Sequence, residues 1–296
     1  MSDWTDLGEC HDNDGVHRTS GRIYKVVYGE AEKGGGLNLK EESNRALANY
    51  QLHRNEWFAR HSRRILNERF VGGVDVSDSR PILEAIVDER KVTVAEQLRA
   101  LWTLHSVGGV GESRLTDLLD HANEHVRSWA IRLIGEGGNA SVSQFQKIRL
   151  MAEDGKSLLV RLYIASTLPR FAQEQQWRLA ESLVKAFGYE SDQNLPQMIW
   201  YALEPLVASD PMRALEWLDR CRDPMVYRSI SRRIASEFES NDRYISELVT
   251  AFDRASRRGD ERYAKAGLEG LEAAFNGLKG ITAPKNWSLI ANSRLA

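Results

Sequence analysis

The chain has 296 residues, with 40 Lys and Arg against 42 Asp and Glu, a formal charge of −2, 42% hydrophobic and 28% charged residues, and eight Trp. That is the composition of a folded protein, and its charge balance excludes wholesale disorder and gives no support to general nucleic-acid binding. Two cysteines, Cys10 and Cys221, are too few for a disulfide framework or a four-cysteine zinc site.

Met1 to Cys10 carries Asp3, Asp6 and Glu9 and has neither a basic nor an apolar leader region. No signal peptide is expected, and the chain as written is expected in the cytosol. No uncharged apolar run approaches the roughly 18 residues that a bilayer requires, so no membrane span is expected. Residues Gly21-Arg22-Ile23-Tyr24-Lys25-Val26-Val27-Tyr28-Gly29 have strand composition between two glycines and are predicted as one strand whose pairing partners are missing from the chain. Gly34-Gly35-Gly36 marks a linker over 30–42. Residues 1 to about 36 are therefore expected to be protease-sensitive and to add little stability.

From residue 43 the reading is helical to residue 296. An apolar or aromatic residue followed by Arg opens an apolar helical stripe at Ala59-Arg60, Val126-Arg127, Val160-Arg161 and Tyr227-Arg228. These arginines stand two, one and two units of about 34 residues apart, a period typical of stacked helical pairs. Leu98 to Val107 and Met198 to Val207 supply two unmarked second helices, and Tyr263 to Phe275 a seventh. The fold class predicted is all-α, an α-solenoid of about six to seven helical pairs preceded by a short strand remnant.

The stretch His121-Ala122-Asn123-Glu124-His125-Val126-Arg127, with the period around it, resembles HEAT repeats. A second resemblance rests on Asp3-Trp4-Thr5-Asp6, Gly8-Glu9-Cys10-His11-Asp12, His17-Arg18, Gly21 to Lys25, Leu52-His53-Arg54-Asn55-Glu56-Trp57, Arg60-His61 and Arg63-Arg64, and extends to Asn194-Leu195-Pro196, Trp200-Tyr201 and Leu203 to Leu206. Together these are similar to the junction in a bacterial family of membrane-bound dehydrogenases. That resemblance implies an exported protein with a quinone-dependent sugar or sorbosone dehydrogenase-like propeller, HEAT repeats and often a cytochrome c module. It would make residues 1–29 the end of the propeller and 43–296 the repeat region, so the chain is expected to be a fragment. The haem-attachment pattern Cys-x-x-Cys-His is absent, and one strand cannot build a propeller's cofactor pocket; no cofactor is expected on this chain.

The densest polar cluster, Asp3 to His17, includes Cys10, His11, Asp12 and Asp14. It fails the calcium-loop pattern at two essential positions, and a transition-metal site competes with the favoured reading, an irregular loop whose Asp and Asn cap turns. Arg60, Arg127, Arg161 and Arg228 could line one anion-binding ridge. The favoured alternative is a structural ladder onto neighbouring carbonyls or acidic turns, since Glu124, Asp154 and Asp223 precede three of them. Arg54, Arg60, His61, Arg63 and Arg64 with Trp57 and Phe58 form the nearest approach to a nucleic-acid patch, but a charged helix exterior is preferred. His105, His121 and His125 read as packing or turn residues. No phosphate loop or serine nucleophile elbow is present.

The function expected is therefore a non-catalytic interaction scaffold with a protein partner, no nucleic acid, and no identified small-molecule ligand. The alternative is an accessory part of a quinone-dependent sugar dehydrogenase that needs a separate propeller and cytochrome module. Trp129 is placed on the inner face, where truncation to Ala would cost roughly 3–5 kcal/mol.

Overall fold

The structure, a computed structural model, describes residues 2–3, 22–24, 26–30, 38–153, 156–189, 192–239, 241 and 243–291. The chain forms two units, Met1–Ser43 and Asn44–Ala296. In the first, β1 (Ser2–Asp3) pairs antiparallel with β2 (Arg22–Ile23), with Ser2 opposite Ile23 and Asp3 opposite Arg22. This corrects the expected strand over 21–29: only two of its residues are strand, and their partner lies in the same chain. Val26, 78% exposed, and the fully exposed Tyr28 have no sheet face to cover them, so β composition there produces no ladder. The larger part of the acidic cluster, Trp4 to His17, and the triple glycine lie outside the described residues.

The second unit contains fifteen α-helices among the described residues. The odd-numbered ones are α1 (Asn44–Asn49), α3 (Arg80–Asp88), α5 (Glu112–Leu118), α7 (Val142–Glu153), α9 (Gln173–Lys185), α11 (Pro211–Leu218), α13 (Arg243–Arg257) and α15 (Ser288–Ala291). The even-numbered ones are α2 (Glu56–Val71), α4 (Val94–Ser106), α6 (Glu124–Glu136), α8 (Leu158–Thr167), α10 (Leu195–Ser209), α12 (Pro224–Ala235) and α14 (Glu261–Phe275). Each even helix packs on the next, from α2 through to α14, and each pairs with an odd neighbour. These are seven helical pairs in a linear array, an all-α solenoid-like fold. The even helices start at a mean step of about 34 residues, the period of such arrays.

Local chemistry sets the boundaries. Asn55 accepts from the Trp57 amide at 3.0 Å, Asn123 from His125 at 2.9 Å and Ser157 from Val160 at 3.1 Å, each satisfying an orphan donor at a helix start. Thr93 and Glu96 close a reciprocal capping box on α4. At the other end of α4, Gly108 turns the chain at φ +64°, where a side chain would be strained, and the Gly109 amide bonds back to Leu104 at 2.8 Å. The even helices bury an apolar stripe between their odd partners and the next even helices: Val126, Ala130, Ile131, Leu133 and Ile134 in α6, and Val226, Tyr227, Ile230 and Ile234 in α12. One apolar cluster runs from Ala48 to Ile290, each fully buried aliphatic side chain contributing about 1.5–3 kcal/mol.

Polar contacts set the register of successive repeats on the odd layer. Arg114 pairs with Asp88 at 2.6 Å, Lys147 with Asp120 at 2.5 Å, Arg213 with Glu174 at 3.3 Å and Arg254 with Asp219 at 3.0 Å. Between α7 and α9, Gln175 exchanges two bonds with the Ala140 backbone, at 2.7 and 3.1 Å. Exposed pairs of this kind are worth about 0–1 kcal/mol each, so they select alignment more than they stabilise. Among the described residues no helix is long and apolar enough to cross a membrane.

Candidate interaction surface

The four marked arginines have different fates. Arg161 is fully buried: Nε donates to the Ala152 carbonyl at 2.9 Å, Nη1 to Phe187 at 2.9 Å and Nη2 to Glu153 at 3.4 Å, with the Tyr189 ring 5.8 Å away. Arg127 clamps the preceding turn through Nη1, 2.7 Å from the His121 carbonyl and 2.9 Å from that of Ala122. Arg60 is exposed and pairs with Glu56 at 3.4 Å one turn earlier on the same helix. Arg228 is exposed at the mouth of a groove shared with Glu269 and Glu272. The shared sequence mark thus does not produce one ridge. Of the acids upstream, Glu124 accepts from Ser157 at 2.5 Å, Asp223 caps α12 through the Val226 amide at 2.9 Å, and Asp154 lies outside the described residues.

What the fold does bring together is a row of aromatic rings and guanidinium groups across consecutive even helices. The Arg63 guanidinium of α2 lies 5.4 Å from the Trp102 ring of α4, which meets Trp129 of α6 edge-on at 4.9 Å. Trp129 carries Arg132 at 5.3 Å and approaches Tyr163 of α8 at 6.3 Å. All three rings are half-buried, with the apolar core beneath Trp102 and Trp129. Burial of the Arg63 guanidinium lowers its proton affinity; Glu56 opposes that, while Arg60 and Arg99 add to it. Farther along, Trp200 and Tyr201 of α10 with Arg232 and Arg233 of α12 line a groove of about 470 Å³, in which Glu204 pairs with Arg233 at 3.3 Å.

Trp129 is therefore not a core residue, which corrects its assignment to an inner face. Its helical position follows the buried Val126 by three residues, yet it falls at the edge of the stripe, where neighbouring repeats leave one side open. Trp129→Ala is expected to cost about 1–2 kcal/mol in denaturant melts, the value of a half-buried aromatic contact, instead of the loss typical of a cavity. A loss above 3 kcal/mol would return it to the core.

The remaining sequence candidates serve the stack. In the Leu52 to Arg64 stretch, Arg99 of α4 bonds the His53 carbonyl at 3.2 Å and the Glu56 carboxylate, and Trp57 stacks on His61 at 4.7 Å. His121 accepts from the Asn123 amide at 3.1 Å, and His105 meets Glu136 at 3.2 Å. Among the described residues no group of His, Cys, Asp and Glu is placed to hold a metal ion. Burial pushes the Cys221 thiol up to about 12, and its Sγ donates to the Asp223 carbonyl at 3.3 Å. Since the thiolate is the reactive form, Cys221 is expected to stay unmodified by an alkylating reagent at about pH 8 until the chain is unfolded. Peptide mass mapping reads this directly, and labelling of the folded chain would contradict it.

The row was missed because each ring was judged within its own helix. A signal existed: Trp129 and Tyr163 each stand two residues after a marked arginine, Arg127 and Arg161. Fold and surface together define a helical-repeat protein. No family model, no curated protein and no solved structure matches the chain.

Proposed function

We propose that this chain is a non-catalytic helical-repeat scaffold that binds a protein partner through its even-helix layer. The observation that carries the reading is the row Arg63, Trp102, Trp129, Arg132 and Tyr163, spanning four successive even helices with its rings half open. Trp, Tyr and Arg are the residues that most often anchor protein interfaces, since they present large rigid area with a polar handle. Their support here is already organised: the rings contact one another and two of the three carry a guanidinium, so little side-chain freedom remains to be lost on association.

The test is selection of random displayed peptides on the immobilised chain, compared with Trp102→Ser/Trp129→Ser and with the milder Trp129→Leu, each matched for helical circular dichroism. Enrichment is expected on the wild type and lost or weakened on the variants. Equal enrichment on all three, or none on any, overturns the scaffold reading. A β-propeller oxidoreductase recovered as the natural partner would convert the reading into its alternative, an accessory to a quinone-dependent sugar dehydrogenase.

A further inference from the structure

The charge of the chain is distributed unequally between its layers. The six even helices from α2 to α12 contain eleven Arg and six Glu and neither Lys nor Asp, although the whole chain is slightly acidic. Every one of those six glutamates is engaged: Glu56 with Arg60 and Arg99, Glu68 with Arg64, Glu96 with Thr93, Glu124 with Ser157, Glu136 with Arg132 and His105, and Glu204 with Arg233. The guanidinium groups of Arg63, Arg228 and Arg232, by contrast, make no hydrogen bond or ion pair among the described residues. Eleven Arg against six Glu leave these six helices with an excess of five positive charges, while on α14 Glu269 and Glu272 line the groove with Arg228.

The placement of this excess is as informative as its sign. Arg63 lies on Trp102, Arg132 on Trp129, and Arg232 lines the groove with Trp200 and Tyr201. Cationic donors therefore alternate with aromatic surface along one line of helices. Resting on the scaffold reading, we propose that the partner is an extended acidic protein segment, its carboxylates taken by Arg63, Arg132 and Arg232 and its apolar side chains by Trp129, Tyr163 and Trp200. Packed helices lie about 8–10 Å apart, a step that an extended chain covers in about three residues. Two steps separate α2 from α6 and three separate α6 from α12, so acidic residues about six and then about nine positions apart would meet the three arginines in turn.

A carboxylate suits these donors better than a nucleic acid does. The half-buried rings of Trp102, Trp129 and Tyr163 stand on separate helices one repeat apart and meet at an angle, unlike the run of open platforms on which successive bases stack. Arg63, Arg132 and Arg232 stand on three different helices, and no exposed Arg intervenes between α6 and α12 because Arg161 is buried and α10 has none, so the layer lacks the continuous cationic track that a phosphate backbone follows. Each of the three arginines can take one carboxylate in a forked pair.

The experiment is fluorescence anisotropy on the full chain with a labelled peptide carrying Glu at every third position and Phe or Leu between, against its Lys counterpart and a labelled oligothymidine. The Glu peptide is expected to bind, with affinity that falls steeply as salt rises. In Arg132→Glu/Arg232→Glu, two exposed positions, binding should weaken by about tenfold or more, and by less in the neutral Arg132→Gln/Arg232→Gln. Absence of Glu-peptide binding, equal binding of the Lys peptide, displacement by oligothymidine, or an unchanged affinity in the charge-reversed variant each overturns the proposal. The two readings fail separately: displayed peptides that depend on Trp102 and Trp129 but lack acidic residues sink this inference alone, whereas no row-dependent enrichment sinks the scaffold.

Discussion

Arg161→Met should destabilise the chain by about 3–5 kcal/mol, read as a shift of the urea midpoint at unchanged helical content before unfolding. The guanidinium is fully buried and supplies donors to the carbonyls of Ala152 and Glu153 at the end of α7 and of Phe187 beyond α9. Met fills a similar volume but donates nothing, so acceptors in a dry site lose their partners, and an unmade buried hydrogen bond costs about 1–3 kcal/mol. Arg161→Lys should recover only part of the loss, because an ammonium cannot reproduce a planar fork that reaches three carbonyls. Arg60→Met is the matched control. Its pair with Glu56 is largely solvated, and such pairs contribute about 0–1 kcal/mol. If the two Met variants melted alike, the carbonyl clamp would not be what holds α7, α8 and α9 in register.

Gly270→Ala should loosen the last repeats by about 2–3 kcal/mol despite improving the intrinsic helix propensity of α14. A methyl group there would sit 2.4 Å from the Arg228 carbonyl oxygen and 3.1 Å from the Arg232 amide nitrogen. Both are backbone atoms of α12, so neither can rotate away, and the whole helix must move outward. The propensity gain is about 1 kcal/mol, smaller than the overlap it would have to offset. Gly267→Ala would drive its methyl group into the fully buried Phe252 ring, which has no open space to turn into, and should also destabilise these repeats. Because stability in a linear array is held between neighbours, the damage should stay local. Hydrogen exchange is expected to rise across 243–275 while the amides of α6 and α8 keep their protection. Uniform acceleration, or none, would rule out the close approach of α14 to α12 as the point of failure.

The helical array was legible before any coordinates because its causes are local and periodic. Asn55, Thr93, Asn123, Ser157 and Asp223 cap helices through side chains two or three residues from the amides they bond, and Gly108 ends α4 by its own backbone freedom. Apolar stripes at helical spacing then assign all seven even helices, including the three that carry no marked arginine. The short strand was misread for the opposite reason. β pairing is not local, and composition alone gives no indication that Arg22–Ile23 would meet Ser2–Asp3, some twenty residues away in the chain.

The fate of each arginine was decided only by packing. Arg60, Arg127, Arg161 and Arg228 share a sequence context, yet one is sealed among carbonyls, one clamps a turn and two face solvent, because the neighbouring repeats differ in what they place opposite. The same holds for the aromatic row. Arg63, Trp102, Trp129 and Tyr163 belong to four different repeats, and nothing within any single helix makes one of them touch the next. Helix formation is set by neighbours a few residues away along the chain, whereas a surface that crosses repeats exists only once inter-repeat packing has fixed which face each helix turns outward.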